Sequence, residues 1–188
     1  DVHALDLASM QFNIADLRAS ASGELATPRL TFQAGAPSAV IADEQLTDMR
    51  VGGGLTGDVL TIGALSASQG ANPGRVRLAG TYNLRTQQYD ATADVTQWTV
   101  APTTDRPLAV QVDAMFTGAG SVEQPHGTGS VRATNISWNG TSAGDLAADV
   151  DVDGQAANIR ARASDLNSQL TARVAVRNIR RDGMEALK

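Results

Sequence analysis

No cysteine occurs anywhere in the 188 residues, so neither a disulfide framework nor a thiolate nucleophile is available. Aromatic residues are nearly as scarce: two Trp, two Tyr and three Phe make up 4% of the chain. Large rings dominate burial in most compact cores. Their scarcity favours an elongated sheet, or a surface for an apolar ligand, over a compact sandwich. No apolar run approaches the ~20 residues of a membrane-spanning helix, no signal-peptide pattern is visible, and no helical segment long enough to cover an apolar sheet face is evident. Net charge is −5 with scattered basic residues, which argues against nucleic acid, whose phosphates require clustered Lys and Arg. The one local cluster, Arg177, Arg180 and Arg181, reads as a solvated end.

What the chain does contain is apolar residues, 42% of the total, set in strict alternation. Leu108, Val110, Val112, Ala114 and Phe116 point one way, while Ala109, Gln111, Asp113, Met115 and Thr117 point the other. Val76, Leu78, Gly80, Tyr82 and Leu84 repeat the pattern, as do Leu146 to Val152 and Leu170 to Val176. Period two means strands with one greasy and one wet face. The expected fold is therefore all-β, an elongated, mostly antiparallel sheet with one apolar face. The alternation slips by one residue at two places: Val95 is followed by Trp98, and Ala133 by Ile136 and Trp138. An unabsorbed slip would turn later side chains to the wrong face. Bulges are expected near Thr96-Gln97 and Thr134-Asn135; without them each Trp falls on the outer face at a strand end.

Turn signals divide the strands. Ala34-Gly35-Ala36-Pro37 reads as a turn, Gly52-Gly53-Gly54 as a break, and Gln69 to Gly74 as a strong turn. A short helix around Asp43 to Met49 competes with a strand there, and a hairpin is expected around Arg85 to Gln88. Taking Asp153-Gly154 as a two-residue turn pairs Val152 with Gln155, Val150 with Ala157 and Leu146 with Ala161. The same register sets Asp145 opposite Arg162 and Asp149 diagonal to Arg160, each such pair worth about 0.2–1 kcal/mol.

No enzyme is evident. Asp149-Val-Asp151-Val-Asp153-Gly154 opens like a calcium loop, but Arg160 stands where a bidentate Glu belongs, and the hairpin already uses these residues. His3 and His126, the only histidines, have no neighbouring ligands. No nucleophile elbow occurs, and the glycine clusters lack the Lys and helix of a phosphate cradle. Asn135-Ile-Ser137 and Asn139-Gly-Thr141 fit the glycosylation acceptor pattern. No cofactor or metal is expected. The apolar face remains, and three coverings are conceivable: a second sheet, a membrane around a barrel, or acyl chains in a groove. The barrel is disfavoured because it needs aromatic girdles. Sandwich and groove both survive.

The runs Val76-Arg-Leu-Ala-Gly-Thr-Tyr-Asn-Leu84, Ala93-Asp-Val-Thr-Gln-Trp-Thr-Val-Ala-Pro102, Leu108 to Gly118, Gly129 to Trp138 and Gly144-Asp-Leu146 share a texture that covers roughly 46–176. It resembles that of the TamB family and its AsmA-like relatives. The resemblance implies a segment of a periplasm-spanning protein, anchored in the inner membrane, whose curved sheet forms a taco-like trough with the apolar face concave. It implies phospholipid acyl chains as cargo between inner and outer membranes, and an Omp85-type outer-membrane barrel as a partner in outer-membrane protein assembly, engaged through other parts of the full-length protein. The trough lining would be Val76, Leu78, Tyr82, Leu84, Leu108, Val110, Val112, Phe116, Leu146, Val150, Val152, Ile159, Leu170, Val174 and Val176. The chain then divides into a β-rich segment at 1–50 with a weaker match, trough repeats at 51–178 and a tail at 179–188. The alternative is a structural or adhesive β-repeat module of a bacterial surface protein. A carbohydrate-binding sandwich is a third reading, with two Trp as its slender basis.

Overall fold

In a computed structural model, residues 5–7, 10–13, 15–23, 29–41, 44–70, 72–102, 107–121, 123–154, 156–164 and 168–175 are described. They form one thirteen-stranded sheet and, among the described residues, no helix. The strands are β1 (Leu5–Leu7), β2 (Met10–Asn13), β3 (Asp16–Ser22), β4 (Arg29–Ile41), β5 (Glu44–Thr56), β6 (Val59–Gln69) and β7 (Arg75–Asn83). They continue as β8 (Gln88–Val100), β9 (Leu108–Ser121), β10 (Pro125–Trp138), β11 (Thr141–Asp153), β12 (Ala156–Ala163) and β13 (Ser168–Ala175). From β4 onward each strand pairs antiparallel with the next, so the sheet is a meander that ends in open edges rather than closing. β2 and β3 share one side of β4, β2 along Ser38–Ile41 and β3 along Arg29–Gly35. Position 50 lies inside β5, and the sheet runs on across it.

Both expected bulges are present. The β8–β9 register shifts between Val95 and Trp98, and the β10–β9 register between Thr134 and Ser137. Gln97 and Asn135 take left-handed backbone at φ 50° and 55°, which absorbs the extra residue. An aspartate on the neighbouring strand's outer face holds each bulge. The Gln97 N–H donates to Asp113 Oδ1 at 2.8 Å, and the Asn135 N–H to Asp145 Oδ1 at 3.2 Å. A third slip, at Asp48 in β5 (φ 51°), lies nearly level with them across the sheet. Bulges bend a strand and deepen its twist, so this line of slips curls the sheet. Among the described residues one packed cluster occurs, and it lies in the bend: Ala39, Leu46 and Ala67, with Met49, Val76 and Trp98 against it.

Four local expectations are corrected. Gly52-Gly53-Gly54 does not break the strand but lies inside β5, paired with β4 on one side and β6 on the other. Ala34 to Pro37 is not a turn but part of β4, because Pro37 faces the Asp48 slip and the register with β5 is unbroken on either side. Residues 44–49 belong to β5, not to a helix. The β11–β12 hairpin is antiparallel with the expected faces, but its register lies two residues away: Val152 opposes Ala157, Val150 Ile159, Ala148 Ala161 and Leu146 Ala163. Gly154, at φ 60°, begins the two-residue turn, so the residue that tolerates left-handed backbone supplies it. Sliding by two keeps every side chain on its face. It also sets Asp149 directly opposite Arg160, while Asp145 lies beside Ser164 rather than Arg162.

Candidate functional site

Partners in antiparallel register share a face, so the pairings trace rows across the sheet. One row runs Leu65, Leu78, Ala93, Phe116, Gly129, Val150, Ile159. The row beside it runs Ala67, Val76, Val95, Ala114, Val131, Ala148, Ala161, and the next Trp98, Val112, Ala133, Leu146, Ala163. Val100 opposes Val110, Leu108 opposes Trp138, and Tyr82 opposes Tyr89 at the far margin. All of these belong to a single inner face.

Charge is sorted with equal strictness. Among the described residues from β4 to β12, every Asp, Arg and His that lies in regular register takes the outer face. There Arg77 opposes Asp94, Asp113 opposes Arg132 and Asp149 opposes Arg160. Glu44 alone lies on the inner side, opposite Ile41, and its Oε1 accepts from Gln69 Nε2 at 2.7 Å. Gln69, 1% exposed, has its side chain spent on structure. Its Nε2 also donates to the Thr99 carbonyl at 2.5 Å, and its Oε1 accepts from the Thr99 N–H at 2.8 Å. β7 begins only at Arg75, so this amide substitutes for the missing strand beside Thr99.

The inner face is barely covered. Only Ala36, Ala39, Leu46, Ala67 and Ala157 are buried hydrophobics among the described residues. Leu78 is 41% exposed, Leu146 38% and Trp138 54%, and the remaining inner valines and leucines of β7 to β12 are half-buried. A second layer of this chain does not lie on the face: among the described residues the extensive strand–strand contacts are all between paired neighbours, and the Gln69–Thr99 bonds join β6 to β8 only at the bend. Small residues (Ala91, Ala93, Ala114, Ala133, Ala148, Ala161) are interspersed among larger ones along the rows, so the lining is rich in alanine.

No family model, curated protein or solved structure matches the chain. The site is therefore read from its own geometry. Of the expected lining residues, Val76, Leu78, Tyr82, Leu108, Val110, Val112, Phe116, Leu146, Val150, Val152 and Ile159 share the inner face. Leu170 and Val174 hold register positions opposite Ala161 and Ala157, and Val176 lies outside the described residues. Leu84 is off the sheet. Asn83 Oδ1 accepts from the backbone N–H groups of Arg85 and Thr86 at 3.0 and 2.9 Å, which ends β7 in a turn and leaves Leu84 exposed.

Leu60, Ile62, Leu65, Trp98, Val100 and Trp138 were not on the expected lining, yet they stand on the same face. The slip at Gly63-Ala64 that realigns Ile62 with Leu65 shows in the sequence as a change of apolar parity, like those before Trp98 and Ile136. The acidic residues of the calcium-like run stay on the outer face. Asp149 is 3.9 Å from Arg162, and Asp153 is 2.9 Å from His126 Nδ1. No group of three metal-capable side chains occurs among the described residues. His3 lies outside them.

Proposed function

We propose that the inner face is a lipid-carrying surface, and that the chain is a segment of a longer conduit on which phospholipid acyl chains move. One observation carries the reading: a continuous apolar face without regular-register Asp, Arg or His among its described residues from β4 to β12, left half-exposed, while the outer face takes the charge. Nine strands at about 4.8 Å, with about ten residues each at about 3.3 Å, make a surface of roughly 1,400 Å². The largest apolar patch on an ordinary soluble monomer is about 300–600 Å². A face of this size needs an occupant. Hydrocarbon suits it, because an Ala-rich lining offers apolar contact without the shaped pockets that hold one ligand in place.

In this reading the protein acts in the periplasm, anchored in the inner membrane through other parts of the full-length chain. An Omp85-type barrel receives its outer end. These particulars come from the resemblance of the repeats to the TamB family. The chemistry is physical transfer, without a catalytic residue.

A photo-crosslinking residue at Val112 or Val150 captures phospholipid when the chain is expressed in a double-membraned bacterium, and one at Gln111 or Asp151 does not. Equal capture at both sets refutes the groove. Protein captured at Val112 in place of lipid favours the structural module, its face covered by a second sheet.

A further inference from the structure

Phe116 stands on a row through the middle of the inner face, between Ala93 on β8 and Gly129 on β10. A phenyl side chain rising from that position would stand in the path of anything lying along the row. The ring lies down instead. A Cβ added at Gly118 would sit 2.6 Å from its Cε1, nearer than any other atom. One at Gly127 would lie 2.7 Å from its Cζ and one at Gly129 3.0 Å from its Cδ2, each also against a carbonyl oxygen of β9, that of Thr117 at 2.6 Å and that of Met115 at 2.9 Å. Three residues without side chains, on two strands, thus make a bed for one ring. Phe32 likewise lies over a glycine: a Cβ on the opposing Gly53 would lie 2.8 Å from its Cζ, although the Thr61 carbonyl oxygen is nearer still. Glycine weakens a strand interior and marks close approach; at Gly127 and Gly129 the approach is of backbone as well as ring, but at Gly118 the ring is what a side chain would meet first.

Resting on the acyl-chain reading of this face, we infer that the glycine bed keeps the Phe116 ring below the path of the hydrocarbon, and that ring height sets the clearance along the central row. Phe116 is then a specificity-determining residue, a floor that becomes an obstruction when raised. Gly118→Ala is the direct test. Its methyl group meets the ring at 2.6 Å, whereas the nearest backbone atom, the His126 carbonyl oxygen, is 3.2 Å away. The ring therefore yields before the strand does.

The readout is capture by a benzophenone side chain at Val150, next after Gly129 on the same row. The chain is incubated with phosphatidylethanolamine vesicles whose acyl chains carry a fluorescent tag. Gly118→Ala is expected to cut capture severalfold at an unchanged unfolding midpoint, and Phe116→Ala with Gly118→Ala to restore it. Phe116→Ala alone sets the level to which the double variant should return, because both lack the ring. Parent-level capture by Gly118→Ala, or no recovery in the double variant, overturns the inference while the acyl-chain reading stands. Should Gly118→Ala fail to fold, Phe116→Ala decides: lost capture in that folded variant shows that the ring grips the chain rather than clearing it. No capture by the parent at Val150 or Val112 overturns the acyl-chain reading, and this inference with it.

Discussion

Replacing Val112 by Asp separates an open face from a sealed core. Val112 lies on β9 between Trp98 and Ala133 and is half-buried. Full burial of a valine is worth about 1.5–3 kcal/mol, so the half-covered side chain contributes about 1 kcal/mol. Its cross-strand contact with Trp98 adds up to about 1 kcal/mol. A carboxylate on an open face stays hydrated, so the total loss is about 1–2 kcal/mol. In a dry core the unpaired charge alone would cost several kcal/mol more, a large part of the roughly 5–15 kcal/mol that holds a typical domain together. Equilibrium urea unfolding, followed by far-ultraviolet circular dichroism, measures the loss. Lipid capture at Val150 in the same variant measures function. The expected result is a modest fall in midpoint with a large fall in capture, because a charge in the hydrocarbon path repels the cargo it should pass. A loss above about 4 kcal/mol would refute the open face, since only burial makes one carboxylate so costly.

Gln69→Leu removes three hydrogen bonds at once and leaves both backbone groups of Thr99 without their side-chain partner. At about 1 kcal/mol for each bond, the unfolding free energy should drop by about 3 kcal/mol, and a drop below 1 kcal/mol would show that water replaces the amide without penalty. Gly154→Ala meets no atom within 4 Å but forces a side chain onto φ 60°. The expected loss is about 1 kcal/mol from backbone strain alone, read as a lower thermal midpoint with lipid capture intact.

Where the sequence was read correctly, the physics was local. Side-chain parity fixes the face of each residue in a strand, so Val76 to Tyr82, Leu108 to Phe116 and Leu146 to Val152 could be assigned before any pairing was known. The bulges followed from the same rule, since two tryptophans on the wrong parity need an extra residue upstream. Register was harder. A two-residue slide of β11 on β12 changes no face and exchanges the directly opposed pair Asp145–Arg162 for Asp149–Arg160, so apolar and charge matching both leave it degenerate. The φ of Gly154 breaks the tie. The Pro37 region failed for a different reason: a proline signals a break in its own strand, but an irregularity at Asp48 on the partner strand cancels it. The glycine bed was equally hidden, because Gly118, Gly127 and Gly129 come together only once β9 and β10 are paired.

What covers this face when no lipid is present follows from its size. Roughly 1,400 Å² of largely apolar surface on one chain could pair with the same surface on another, burying about 2,800 Å² in total, more than the 1,200–2,000 Å² of a standard stable interface. Two such faces would stack about 10 Å apart, as sheets do. The outer faces cannot do this, because exposed Asp and Arg pairs keep them wet. The stripped chain should therefore associate in a concentration-dependent way, and phospholipid should return it to monomer by competing for the same surface. Sedimentation equilibrium on delipidated and lipid-loaded samples reads both states. Val112→Asp weakens the association as well, since each copy would bring a charge to the shared surface. A delipidated chain that stays monomeric would mean that the curl of the sheet already hides its inner face from a second sheet while leaving room for narrower hydrocarbon. The opposite result, a dimer that phospholipid leaves intact, would make protein the natural cover and remove the basis for a conduit.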